Sequence, residues 1–203
     1  MEQFLQNTLQ NSQDAFQKWR KIPFEERQKY FTQLSEILNN RKQEFATIIT
    51  QEMNKPISQS VSEIEKCAAL CDYYATAKNI LKTEQVETEF QISEIHHEPL
   101  GVILGVMPWN FPFWQAIRFA VPTILAGNVI VLKHASICEK SGETMQEIFE
   151  EAGFPKGIFT FLKVSHTEVE EMIAHPIIRG VSLTGGEAAG RKIAEIAGKN
   201  LKK

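Results

Sequence analysis

Asn110 stands in the run Pro108-Trp109-Asn110-Phe111-Pro112, where two prolines fix the backbone on either side of it. A neutral carboxamide held this way is a preorganised hydrogen-bond donor, suited to an oxygen that gains negative charge during a reaction. Lys133, His134, Ala135 and Ser136 follow a second apolar run and place a cation beside a small hydroxyl, a pair suited to the ribose or phosphate of a nucleotide. Gly185 and Gly186 follow a third apolar run and precede a helical pattern. The backbone N–H groups of such a turn can cradle a pyrophosphate at the positive end of a helix dipole. The spacing is not the G-x-G-x-x-G fingerprint, and a plain turn with a close-packed helix start accounts for the same glycines. Arg118, eight residues after Asn110 and about two helical turns on, can fork onto a carboxylate or simply lie on the surface.

The remaining reactive residue types point elsewhere. Cys67, Cys71 and Cys138 are odd in number and lack a C-x-x-C spacing, which disfavours a disulfide framework and a structural zinc site. Cys67 and Cys71 are one helical turn apart and read as small core residues. His96, His97 and His175 show no metal-ligand spacing, so no metal site is expected.

These residues need a scaffold that brings them to one rim. Short apolar, β-favouring runs at about 102–106, 129–132, 158–162 and 180–183 alternate with helical patterns at about 113–125, 138–152, 167–174 and 187–197. That rhythm predicts a parallel sheet with helices on both faces, whose ligand crevice lies at the carboxyl ends of the strands. After residues 198–203 the pattern asks for one more strand, and without it a sheet edge would be left bare. Residues 1–83 read as a helical layer, with apolar stripes at Tyr30, Phe31, Leu34, Ile37 and Leu38 and at Val61, Ile64, Ala68, Cys71 and Ala75. Pro23 lies at a helix start, Pro56 follows a helix end, and Ser60 and Glu63 have the spacing of a capping box. Residues 84–98 alternate and favour β structure, predicting one or two exposed strands, and residues 99–203 form the βα part.

With 203 residues, 43% hydrophobic and 23% charged, the chain is long enough to bury a core. A net charge of -3, with basic and acidic residues interspersed, argues against a nucleic-acid partner. No run of roughly 18 or more apolar residues occurs and the first residues lack signal-peptide character, so no membrane association and a cytoplasmic location are expected.

The stretch 98–114 around Pro-Trp-Asn-Phe-Pro, together with Ala126-Gly127-Asn128, residues 132–136, 152–157 and 183–187, resembles the aldehyde dehydrogenase superfamily. Residues 19–74, with 23–27 and 52–56, continue the likeness, and the bacterial succinate-semialdehyde dehydrogenase branch is the most similar. The resemblance implies an α/β fold in which a helical layer joins an incomplete, doubly wound nucleotide-binding sheet, with a strand pair used in homo-oligomer contacts. It implies NAD or NADP as cofactor and a small aldehyde, succinate semialdehyde by the branch, as substrate. Asn110 would donate to the oxyanion, and Arg118 would meet the substrate carboxylate. Met107, Pro108, Trp109, Lys133, His134, Ala135, Ser136, Gly185 and Gly186 would line the cofactor.

Two positions depart from the family pattern. Ser136 stands where NAD-preferring relatives often carry a Glu, so a 2′-phosphate meets no repulsion there. Gly186 replaces a usual Ser and loses a hydroxyl. The family's general-base Glu and nucleophilic Cys would lie beyond Lys203, which implies a chain inactive by itself. The alternative is a non-enzymatic remnant, or a split subunit that associates with another chain.

Overall fold

A computed structural model describes residues 2–78 and 80–203. Four helices come first: α1 (Gln3–Trp19), α2 (Phe24–Asn40), α3 (Lys42–Met53) and α4 (Ile57–Thr76). Each buries one stripe. In α1 the stripe is Leu5, Leu9, Ala15, Phe16 and Trp19; in α4 it is Ile64, Cys67, Ala68 and Cys71. Asn54 takes a left-handed conformation (φ 51°) that ends α3, and Pro56 then precedes α4. Ser60 and Glu63 do not form the expected capping box. Because α4 already begins at Ile57, Ser60 lies inside the helix, and Glu63 is released for a different partner.

A two-stranded antiparallel pair follows, β1 (Glu84–Gln85) and β2 (Glu94–Ile95), with Phe90 and Ile92 exposed between them. The main sheet contains β3 (Val102–Met107), β4 (Val129–His134), β5 (Phe159–Phe161) and β6 (Ile178–Leu183) in the order β5-β4-β3-β6, all parallel. All of β4 and nearly all of β3 are buried, as strands covered on both faces must be. The crossovers are α5 (Pro112–Leu125), α6 (Glu139–Glu151), α7 (His166–Ala174) and α8 (Glu187–Lys199). The chain starts the sheet at β3, builds outward through β4 to β5, then returns to place β6 on the other side of β3. The order therefore reverses between β3 and β6, and open α/β sheets hold ligands at the carboxyl end of such a switch point.

The helical layer grips α5 at both ends. At the carboxyl end, Trp19 Nε1 donates to the Ile124 carbonyl (2.8 Å) and Arg27 Nε to the Leu125 carbonyl (2.8 Å), the latter an acceptor that the helix end leaves open. Phe154 packs its ring against Trp19, Tyr30, Phe31 and Phe149 with centroids 5.0–5.8 Å apart, joining the layer to α6. At the outer edge the fold is sparser. None of the residues of α8 is buried. The outer edge of β6 is not wholly bare, because Lys203 N–H donates to the Arg179 carbonyl (3.3 Å) and Val181 N–H to the Lys203 carbonyl (2.8 Å). That is the pairing of a single parallel bridge opposite Gly180.

Candidate functional site

The register of the sheet assembles one rim. Val106 pairs with Leu183 and Met107 with His134, so the segments leaving β3, β4 and β6 emerge side by side. Backbone bonds extend the pairing past the strands: Ala135 N–H donates to the Met107 carbonyl (3.0 Å) and Thr184 N–H to the Val106 carbonyl (3.1 Å). The corner with Pro108, Trp109 and Asn110 thus lies between Lys133–Ser136 on one flank and Gly185–Gly186 on the other. Met107 is buried, whereas Trp109 is 57% exposed and Asn110 is exposed. The Asn110 carboxamide makes no hydrogen bond among the described residues, so its N–H groups remain free to donate.

The corner is set by a carboxylate from another layer. Glu63 of α4 is buried, and its Oε1 accepts from the N–H groups of Phe113 (2.9 Å) and Trp114 (3.0 Å) at the first turn of α5. Its Oε2 meets Lys55 Nζ at 2.5 Å, with the two side chains 0% and 10% exposed. Two orphan donors and a buried charge are satisfied together. Glu52 of α3 acts likewise on α6, accepting from the N–H groups of Lys140 (2.6 Å) and Ser141 (3.1 Å). Neither role was expected from the sequence. The available signal at Glu63 was a charged residue adjoining the buried stripe of Ile64 and Cys67.

His134 completes the bracing. Its Nδ1 accepts from Ala135 N–H (2.9 Å), which leaves Nε2 to donate to the Pro112 carbonyl (2.9 Å) and ties β4 to the start of α5. Burial, chiefly, pushes its pKa down to about 4, so the imidazole is neutral. The ring faces the protein interior as a strut. Lys133 is only 8% exposed and forms no ion pair among the described residues. Burial lowers its pKa, opposed by Glu139, whose carboxylate is paired with Lys163. Ser136 is exposed at the start of a short 3-10 turn (Ser136–Cys138).

Gly186 is the N-cap of α8 and has no side-chain cap. Among the crossover helices, α5 and α6 begin on Glu63 and Glu52, and α7 has its own box of Ser165 and Glu168. A Cβ at Gly186 would meet nothing within 4 Å, and neither Gly185 nor Gly186 has a positive φ. Close packing therefore does not account for Gly186. Arg118 is exposed on α5 and donates to Gln115 Oε1 (2.9 Å). The three thiols are all buried, and burial raises each pKa, that of Cys138 to about 12. Among the described residues no group of His, Cys, Asp and Glu is placed to hold a metal ion. No helix among them is long and apolar enough to cross a membrane.

The sequence pattern of the Aldehyde dehydrogenase family matches residues 2–203. The chain belongs to this family. Among its relatives, a probable succinate-semialdehyde dehydrogenase (NADP(+)) of Synechocystis sp. is 43% identical over 96% of the chain and 43% of the relative. A succinate semialdehyde dehydrogenase (NAD(P)+) of Escherichia coli is 40% identical over 98% of the chain and 43% of the relative. The crystal structure of succinic semialdehyde dehydrogenase from Streptococcus pyogenes, in complex with NADP+, superposes with a TM-score of 0.96 at 40% identity, covering all of this chain and 45% of that one. This aldehyde dehydrogenase family chain thus spans under half the length of the relatives it matches.

Proposed function

We propose that the chain forms the cofactor rim and supplies the oxyanion donor of an NAD(P)-dependent aldehyde dehydrogenase that oxidises succinate semialdehyde to the acid. One observation carries the reading. Lys133, a nearly buried cation with no ion pair among the described residues, shares a rim with the uncapped start of α8 and with the Asn110 carboxamide, which makes no hydrogen bond among them. A dinucleotide answers all three: Lys133 and Ser136 take its ribose or phosphate, and Gly185 and Gly186 present N–H groups to its pyrophosphate. Met107, Pro108, Trp109 and the backbone of His134 and Ala135 form the wall between. Bound NAD(P)+ supplies the hydride acceptor. Asn110 donates to the aldehyde oxygen as it gains charge, in a position the prolines and Glu63 fix beforehand. Ser136 brings no negative charge to a 2′-phosphate, so NADP is accepted as readily as NAD.

The thiolate for the chemical step has to come from outside these 203 residues, because each thiol within them is buried and held protonated. The isolated chain therefore binds cofactor without turnover. Titrating it with NADPH, followed by nucleotide fluorescence, tests the reading. Saturable binding that weakens at least about tenfold in Lys133→Met supports it, since losing a hydrogen bond to a charged group costs about 1.5–3 kcal/mol. Equal affinity in the folded variant refutes it. Turnover of succinate semialdehyde above a protein-free blank refutes the inactivity.

A second reading, that the chain works docked on another chain, is favoured by α8, which buries no residue, and by β6, whose outer edge is met among the described residues by the single bridge of Lys203. Phe90 and Ile92, exposed at the β1–β2 pair, offer a separate apolar surface for a homo-oligomer contact. Gel filtration of the chain reads both.

A further inference from the structure

Beside the rim, a groove of about 420 Å³ runs between α4 and the start of α5, with Lys55, Ser62, Lys66, Phe111 and Trp114 in its wall. It begins at Phe111, the neighbour of Asn110. The two ammonium groups in it differ in kind. Lys55 lies 3.9 Å from the Phe111 ring centroid, and its charge is balanced by buried Glu63. Lys66 lies 3.9 Å from the Trp114 ring centroid, is exposed, and forms no ion pair among the described residues. Its attraction to the ring pins an otherwise mobile side chain at the groove. One turn along α5 from Trp114, on the same helix face, Arg118 donates only to the neutral Gln115. The groove thus has an aromatic lining and, in Lys66, a cation without an ion pair among the described residues, while Arg118 follows one turn beyond Trp114 on α5.

A ligand matched to this wall has an aldehyde at one end, a short apolar body, and an anionic group at the other. We propose that Lys66 is a specificity-determining residue which, together with Arg118, selects aldehydes carrying a terminal carboxylate. The assignment rests on the function proposed above and adds to it a residue on α4. Arg118 can fork onto a carboxylate, while Lys66 approaches the same group as a point charge from the opposite wall. Truncating Lys66 removes attraction for the carboxylate and leaves the aromatic contacts in place.

The test titrates the 203-residue chain with succinate semialdehyde and, in parallel, with butyraldehyde, a four-carbon aldehyde without the carboxylate. Tryptophan emission is the signal, and its loss in Trp114→Phe assigns the reporter. Two exposed cations, each contributing as a surface ion pair does, give the semialdehyde an advantage of about tenfold. In Lys66→Met that advantage falls about three- to fivefold while the butyraldehyde response is unchanged, and Lys66→Arg restores it. An unaltered advantage in Lys66→Met, or no saturable semialdehyde response in the parent chain, overturns the proposal. NADPH titrated into the same samples separates the two readings. Intact cofactor binding without carboxylate preference defeats this inference alone, and carboxylate preference without cofactor binding defeats the earlier one alone.

Discussion

The two flanks of the rim are built on opposite plans. The Asn110 corner is braced from outside its own segment: Glu63 holds the start of α5, His134 ties β4 to Pro112, and Trp19 and Arg27 hold the far end of the helix. The Gly185–Gly186 turn has no such support, since α8 carries no cap and buries no residue. The contrast teaches where rigidity is needed. A donor aimed at a developing charge gains from being fixed in advance, whereas a helix start meant for an anion must leave its N–H groups unclaimed.

The sharpest way to break this comparison is Glu63→Ala, which strands the Lys55 charge and two helix N–H groups in the interior. Loss of one partner of a buried pair costs about 3–5 kcal/mol, so the urea midpoint of the chain should drop steeply. Glu63→Gln, which keeps the acceptor, should lose less. If Glu63→Ala unfolds at the parent midpoint, the corner is not braced from α4.

Acid should attack the same flank. The unfolded His134 imidazole titrates near 6.5 and the folded one near 4, so between these values the unfolded chain holds the extra proton. The contribution of His134 is complete above about pH 6.5 and is lost as pH falls through about 4, to a total of about 3 kcal/mol. Thermal unfolding of His134→Gln against the parent between pH 7 and pH 4 should show a flatter profile in the variant; parallel profiles would contradict the strut.

The smallest effect belongs to the open flank. Ile196→Ala on α8 removes a half-buried side chain and should cost less than about 1 kcal/mol, well below the 2–5 kcal/mol of a buried isoleucine. A loss of buried-core size in chemical denaturation would mean that α8 is held as firmly as α5.

Much of the scaffold was legible because its signals are local. The apolar runs at the start of β4 and through β3 are continuous, β6 is β-favouring though interrupted by Arg179 and Ser182, and the breaks at Pro108 and at Gly185 fall where strands end. The shared rim was legible for the same reason, since parallel strands place their carboxyl ends together. Glu63 was misread because its spacing from Ser60 imitates a cap, while its true partners, Phe113 and Trp114, are distant in sequence. Only the docking of one layer on another decides between those uses. The resemblance put His134 beside the cofactor, but nothing in its position tells whether a ring turns outward or toward Pro112. Lys66 was invisible for a related reason, because its counterpart Trp114 lies on a different helix.

Anchorage at both ends makes α5 a ruler. Its 14 residues span about 21 Å, a length fixed between the aromatic cluster around Phe154 and the corner. Inserting one residue in its middle would turn one half against the other by about 100°, so that either the Glu63 grip or the Trp19 grip must be surrendered. Inserting four would nearly restore the phase yet lengthen the helix by about 6 Å, pushing the corner off its brace. The helix can change its side chains far more freely than its residue count.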